Sequence, residues 1–353
     1  MSAVICHAPE DYRLEEQAVP NPGAEEVVIR VDSVGICASD LKSYLGAPMF
    51  WGDTTREGYW QAPIIPGHEF VGTVAALGDG AAAKYGLEIG DRAVSEQIVP
   101  CGDCRYCQCG QYWMCDVHDI YGFRQATFGA MAEYMRFPAK ALNYKVPESI
   151  PSHHAAFIEP LACSIHAVQR GKIELQDVVV IAGAGPLGLG MIATARMKNP
   201  ALLISLDLND QRLEIAKACG ADLGINPSTV DAVDEVLALT EGYGCDVYIE
   251  ATGHPNAVLQ GLQMIRKLGT FVEFSVMREP VTVDWTIIGV PKELNIHGSH
   301  LGPHCYPIAI RMIEQGLIPL DDIVTHRLPL AAFQKGIDLV ADGQSSIKVT
   351  LEP

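Results

Sequence analysis

The sequence predicts an α/β chain in which a β-rich domain, residues 1–155 and 297–353, encloses an inserted doubly wound domain, residues 156–296. Three observations predict it. Up to about residue 155, short apolar runs alternate with Gly, Pro and Asp, as in a barrel or sandwich with long loops. Beyond Pro151, apolar strands alternate with helical stretches, the pattern of a parallel sheet. The tail offers one helix and one strand, too little for a core of its own, so it returns to the first domain. The length of 353 residues also exceeds what one hydrophobic core usually serves.

In the first domain, Val27–Val31 and Phe70–Leu77 read as strands. The stretch from Tyr44 to Pro66 reads as the longest loop, crowded with Phe50, Trp51, Tyr59 and Trp60; loops of that length usually serve a purpose. Residues 155–170 read as a helix kinked at Pro160. The segment from Asp177 to Met197 reads as strand, glycine turn and helix, and the one from Leu202 to Asp222 as strand and helix. Two more strands, GCDVYIEATG and GTFVEFSV, flank a helix over 256–268. The tail carries a helix at 308–315 and a strand at 346–351.

The charge of −18 with no basic stripe argues against nucleic acid and an anionic membrane surface as partners. Eleven cysteines, an odd number with five between 101 and 115, suit reduced thiols with a metal among them rather than a disulfide scaffold. The first residues lack the features of a leader and no apolar stretch is long enough to span a bilayer, so a cytoplasmic location is expected.

Gly183-Ala184-Gly185-Pro186-Leu187-Gly188 fits G-x-G-x-x-G between an apolar strand and a helix. Such a turn lets backbone approach a pyrophosphate, which the helix N-terminus stabilises. Asp207 ends the next strand, where a carboxylate accepts hydrogen bonds from the adenosine ribose and repels a 2′-phosphate. NAD is therefore expected rather than NADP, with Arg212 also on the cofactor side. A plain tight turn with a surface Asp explains less of this combination.

Cys101, Cys104, Cys107 and Cys115 form C-x2-C-x2-C-x7-C, a spacing that lets four thiolates close on one structural zinc. Cys109 could stand in for a neighbour, and an iron–sulfur cluster or unliganded thiols are the alternatives. Cys37, His68-Glu69 and Glu159 carry ligand chemistry of another kind: one thiolate, one imidazole and one or two carboxylates leave a coordination position open. Each also has a bland reading, as a buried thiol, a core histidine or a surface acid, and the residues alone do not bring them together.

Along its whole length the chain resembles the zinc-containing medium-chain dehydrogenases, in particular their polyol branch. The resemblance rests on Gly35-Ile36-Cys37, Gly67-His68-Glu69, the four cysteines, Ile158-Glu159-Pro160-Leu161, the turn at 183–188, and Lys292-Glu293-Leu294 with Gly298. It implies a GroES-like catalytic domain, an inserted Rossmann domain, an active site in the cleft between them, and two zincs per chain, one catalytic and one structural. Cys37 and His68 become ligands of the catalytic zinc. One of Glu69 and Glu159 binds it, and the other ligates or holds its water. Asp40 fixes the His68 tautomer. Ser39 stands at the relay hydroxyl, and Lys42 takes the next relay position, where the family often has His. The chain reads Gly298-Ser299-His300-Leu301-Gly302 where sorbitol enzymes have an Arg-Tyr pair, which moves the expectation to a four-carbon polyol of the erythritol or threitol type. Butanediol-type and threonine dehydrogenases are the runners-up. A zinc-free reductase of the same fold and a non-catalytic zinc and nucleotide protein are the other classes. A homotetramer is the family's usual assembly.

Overall fold

A computed structural model describes every residue except Arg278. The chain forms two compact units. One contains Met1–Glu159, Tyr306–Gly316 and Leu320–Pro353; the other contains Pro160–Cys305 and Leu317–Pro319.

The first unit is organised by a seven-stranded sheet. Its main order is Asn143–Lys145, Arg92–Ser95, Glu69–Leu77, Val27–Ile36, Lys348–Glu352 and Val324–Pro329, and Tyr134–Phe137 also pairs with Val27–Ile36. The pairing is antiparallel except between the last two strands of that order. Val27–Ile36 is the central strand and is buried along most of its length, so its run of β-branched residues packs on both faces. The apolar runs at 27–31 and 70–77 are thus the cores of longer strands. The 44–66 stretch is more ordered than a loop, with a one-turn helix at Pro48–Trp51 and a small hairpin of Gly52–Asp53 with Arg56–Glu57.

The second unit is a six-stranded parallel sheet. Its order is Leu223–Ile225, Leu202–Leu206, Val178–Ala182, Cys245–Glu250, Ile265–Glu273 and Asn295–Gly298. Numbered along the chain this is the 3-2-1-4-5-6 arrangement, whose order reverses between Val178–Ala182 and Cys245–Glu250. Its core packs Val180, Ile204, Tyr248, Leu262 and Phe271. Lys292 completes this unit by donating to the carbonyls of Leu262, Gln263 and Ile265 at 2.7, 2.7 and 2.6 Å, so its cation satisfies the end of the helix Pro255–Met264.

Four sequence expectations need correction. The tail holds more than the one helix and one strand expected: between Tyr306–Glu314 and Lys348–Glu352 lie a further strand, Val324–Pro329, and a further helix, Phe333–Asp342. The helix expected over 256–268 stops at Met264, because Ile265 turns extended and pairs with Cys245; the strand begins there and carries an irregularity before Val247. The kink expected at Pro160 has no basis, since Pro160 lies in the first turn of Ile158–Gly171, where its missing N–H costs nothing. The boundary expected at 297 falls inside Asn295–Gly298, the last strand of the parallel sheet, and that unit runs on to Cys305.

Candidate active site

Sheet register assembles the first cluster. Gly35 pairs with Glu69 on one side and with Thr350 on the other, and Ile36 pairs with Val349. One step beyond those pairs lie Cys37, just past the end of its strand, and Lys348, the first residue of its own. Cys37 then caps the helix Ala38–Tyr44: its side chain accepts from the Asp40 backbone, and its own N–H donates to Asp40 Oδ2 at 2.9 Å. Gly35 makes room for the Glu69 carboxylate: a Cβ there would lie 2.2 Å from Glu69 Oε2 and would force it to move. The missing side chain is the space that the Glu69 carboxylate fills.

Ligand atoms of Cys37, His68 and Glu69 all lie within 4.8 Å of one another. His68 and Glu69 are buried and Cys37 is half-buried. Glu159 is also buried, in the first turn of its helix, where the dipole favours an anion; it lies outside that three-residue set. Ser39 Oγ is 3.5 Å from His68 Nε2. His68 Nδ1 faces Asp40 Oδ1 at 3.7 Å, and these two buried atoms complete no hydrogen bond. Lys42 sits three residues after Ser39, half-buried, on the same short helix.

The electrostatics describe a place built for a cation. Burial opposes charge on His68, yet Asp40, then Cys37 and Glu159, raise its imidazole to about 10. Lys348 is buried too, and Glu69, Cys37 and Glu159 hold its pKa above the ordinary value despite that burial. So many anions around a neutral-ligand histidine leave positive charge wanting. A divalent ion among Cys37, His68 and a carboxylate would supply it, with Nδ1 left facing Asp40. The residues present fit zinc.

Lys348 is the participant that sequence reasoning missed. It donates to Glu69 Oε2 at 2.5 Å and to the Ile36 carbonyl at 3.1 Å. The signal was present in the last strand: a lysine opening a run whose next three residues are apolar or β-branched.

Beside His68 stands an aromatic wall. Phe123 packs on the imidazole with ring centroids 5.3 Å apart, and Trp60, Phe50 and Tyr59 pack on Phe123 at 5.1, 5.6 and 5.8 Å. Trp51 packs on Trp60 at 6.1 Å. The aromatics of the 44–66 stretch therefore back the site through Phe123.

The second cluster brings together Cys101, Cys104, Cys107 and Cys115, again within 4.8 Å. Cys101 and Cys107 sulfurs are 3.9 Å apart and those of Cys104 and Cys115 are 4.0 Å apart. A tetrahedral ion with bonds of about 2.3 Å separates its sulfurs by about 3.8 Å, whereas a multi-iron cluster spreads its thiolates further. Backbone N–H groups of Cys107 and Asp116 help pull Cys104 down to about 6, toward the thiolate a metal needs. Cys109 is exposed and lies outside the set.

In the second unit the turn at 183–188 is formed as read. Gly185 caps the helix Pro186–Arg196, with Pro186 at its first position and Leu187 following. A Cβ on Gly188 would lie 1.8 Å from the Gly183 carbonyl oxygen, so helix and strand meet there only through glycine. A Cβ on Gly185 would meet nothing within 4 Å, which leaves the helix N-terminus open to an anion. Asp207 is brought to the same turn: its Oδ2 accepts from Ala184 N at 2.7 Å and its Oδ1 from Asn209 N at 2.9 Å. Arg212 is half-buried in the following helix. The cradle and its acid fit a dinucleotide.

Residues 23–148 match the alcohol dehydrogenase GroES-like domain family and residues 186–315 the zinc-binding dehydrogenase family. The chain is 57% identical to an erythritol/L-threitol dehydrogenase of Mycolicibacterium smegmatis, covering 100% of this chain and 98% of that one. It is 36% identical to an L-threonine 3-dehydrogenase of Pyrococcus horikoshii, covering 94% and 92%. Among solved structures, an alcohol dehydrogenase of Escherichia coli CFT073 complexed with NADH is 29% identical with a TM-score of 0.88, covering 100% of this chain and 99% of that one. The two matched domains, the whole-length relatives and the shared fold agree: the chain belongs to the zinc-binding alcohol dehydrogenases with a GroES-like domain.

Proposed function

We propose that this protein oxidises a secondary hydroxyl of a small polyol, of the erythritol or threitol kind, and passes the hydride to NAD. The observation that carries the reading is 57% identity over the whole chain to an erythritol/L-threitol dehydrogenase. The compact Cys37, His68 and Glu69 set supports a catalytic zinc, and the open glycine cradle with Asp207 supports NAD.

Bound zinc supplies Lewis acidity that lowers the pKa of an alcohol, and NAD accepts the hydride. The chain's own residues do the rest. Cys37, His68 and Glu69 are the proposed ligands, because their donor atoms converge; Asp40 orients the imidazole and Lys348 holds one oxygen of Glu69. Glu159 remains to accept a hydrogen bond from a second substrate hydroxyl. Ser39, next to His68, accepts the proton of the reacting hydroxyl while passing its own hydroxyl proton outward, to water or to the neutral amine of Lys42, the next group on its helix. The aromatic wall behind His68 limits substrate length and sheds water. Cys101, Cys104, Cys107 and Cys115 hold a second zinc that shapes their lobe.

The protein is further proposed to act as a homotetramer in the cytoplasm. The described cysteines form no disulfide, which suits a reducing compartment, and no described helix is long and apolar enough to cross a membrane. A charge of −18 speaks against nucleic acid as a partner.

The test is NAD reduction by the purified enzyme across C3 to C6 polyols, 2,3-butanediol and L-threonine. Highest kcat/KM on a four-carbon polyol is expected. A clear preference for L-threonine, the substrate of the 36% identical relative, overturns the polyol reading.

A further inference from the structure

Besides the two clusters above, the described residues assemble one more set of metal-ligating side chains, and neither the reaction nor the cysteine lobe uses it. His153 and His154 lie in the one-turn helix Ser152–Ala155, immediately after Pro151. Asp321 lies in another one-turn helix, Leu320–Ile323, of the same compact unit. One ligand atom from each of the three side chains lies within 4.8 Å of the other two.

The two imidazoles meet edge to face, with centroids 4.3 Å apart and planes at 65°. His154 Nε2 is 3.0 Å from Asp321 Oδ1, yet this buried nitrogen is out of line for a hydrogen bond. The His154 side chain is 14% exposed, whereas that of Asp321 is 91% exposed. The carboxylate therefore closes the cluster from the solvent side. His153 is half-buried beside His154, and a neutral imidazole offers the lone pair that metals bind. Arg327, the cation facing His153, is itself bound to Glu352 at 2.7 Å.

We propose that His153, His154 and Asp321 form a third cation site, for a borderline divalent transition ion such as zinc. Two imidazole nitrogens and one carboxylate oxygen are the donor set of zinc, nickel or copper(II); magnesium and calcium favour oxygen alone. With three protein ligands and one face in water, the site keeps an open position and exchanges its ion readily. The bound ion staples the segment leading into the Glu159 helix to the one leading into the strand Val324–Pro329, so it stabilises this unit without entering the reaction.

The experiment is equilibrium dialysis of the zinc-loaded enzyme against graded free Zn2+, with zinc per chain read by elemental analysis and thermal stability followed in parallel. The expected result is one further zinc per chain at micromolar free ion, with a rise in Tm. His153→Ala abolishes this added equivalent. Asp321→Asn, at an exposed position that leaves the fold intact, weakens it about tenfold or more. Both variants keep the tightly held zinc and the dehydrogenase activity. An added zinc that persists unchanged in both variants is surface uptake only and overturns the proposal, as does the absence of any added equivalent up to 100-fold above micromolar.

Discussion

Lys348 and Glu69 form an ion pair with side chains only 4% and 2% exposed, across two strand registers of one sheet. Removing one partner of such a pair leaves a charge stranded away from water, which typically costs about 3–5 kcal/mol. Lys348→Met is therefore expected to lose about that much stability in urea denaturation, together with its catalytic zinc. Adding Glu69→Gln to it should recover stability without recovering activity. If Lys348→Met keeps wild-type stability and zinc, the pair is peripheral.

That pair also marks where sequence reading stops. The glycine turn, the four-cysteine lobe and Gly67-His68-Glu69 were legible because each function is packed into a few consecutive residues. The grouping of Cys37 with His68 was not, since it depends on Gly35 pairing with Glu69. Lys348 was hidden for the same reason: it lies 279 residues from Glu69, in a strand whose next three residues read only as core. The early end of the helix at Met264 escaped because Ile265–Leu268 continues an apolar helical pattern, and only pairing with Cys245 extends it. Local chemistry is written locally; register across a sheet is not.

Cysteine lobe chemistry is tested by Cys104→Ser. Its sulfur sits 4.0 Å from that of Cys115, within the set of four. A serine hydroxyl is a poor, hard ligand for zinc among thiolates. Zinc content should fall by one per chain, and Tm should fall with it, because binding energy at a structural site is folding energy. Unchanged zinc and Tm would mean that the lobe folds without its ion.

Cofactor choice is expected to follow Asp207. Its carboxylate is fixed against the glycine turn by Ala184 and Asn209, so a 2′-phosphate arriving there meets a positioned negative charge. Wild type should strongly prefer NAD. Asp207→Ala should raise KM for NAD and narrow its advantage over NADP by about tenfold or more, roughly 1.4 kcal/mol. Equal efficiency with both cofactors in the wild type would refute the role.

Glu273 ends one strand of the parallel sheet and pairs in register with Glu250, which is fully buried. Burial and then the charge of Glu250 push the Glu273 carboxyl up from 4.5 to about 8. Between those values the folded state holds a proton that the unfolded chain has released. Stability from this group is thus full below about 4.5 and declines as pH rises toward 8. Thermal melts should show a loss between about pH 4.5 and 8 that Glu273→Gln flattens. A variant with the same slope as wild type would place the titration elsewhere.

The two carboxylates near the zinc site are expected to divide the work between them. Glu69 belongs to the converging set with Cys37 and His68, and Lys348 already occupies its Oε2, which leaves its other oxygen for an ion. Glu159 lies outside that set, though its charge acts on both His68 and Lys348. Its buried carboxylate suits a hydroxyl donor, and a diol brings a second hydroxyl where a mono-alcohol brings none. A hydrogen bond to a charged acceptor in a dry site is worth about 1.5–3 kcal/mol. The wild type should therefore favour 2,3-butanediol or erythritol over 2-butanol by about tenfold or more in kcat/KM. Glu159→Gln should keep both zincs and NAD binding while losing most of that preference, whereas Glu69→Gln should lose the catalytic zinc itself. Metal analysis beside the two-substrate comparison separates these outcomes. Should Glu159→Gln lose zinc while Glu69→Gln retains it, the roles are reversed; equal wild-type activity on diol and mono-alcohol would remove the polyol reading and leave the family alone.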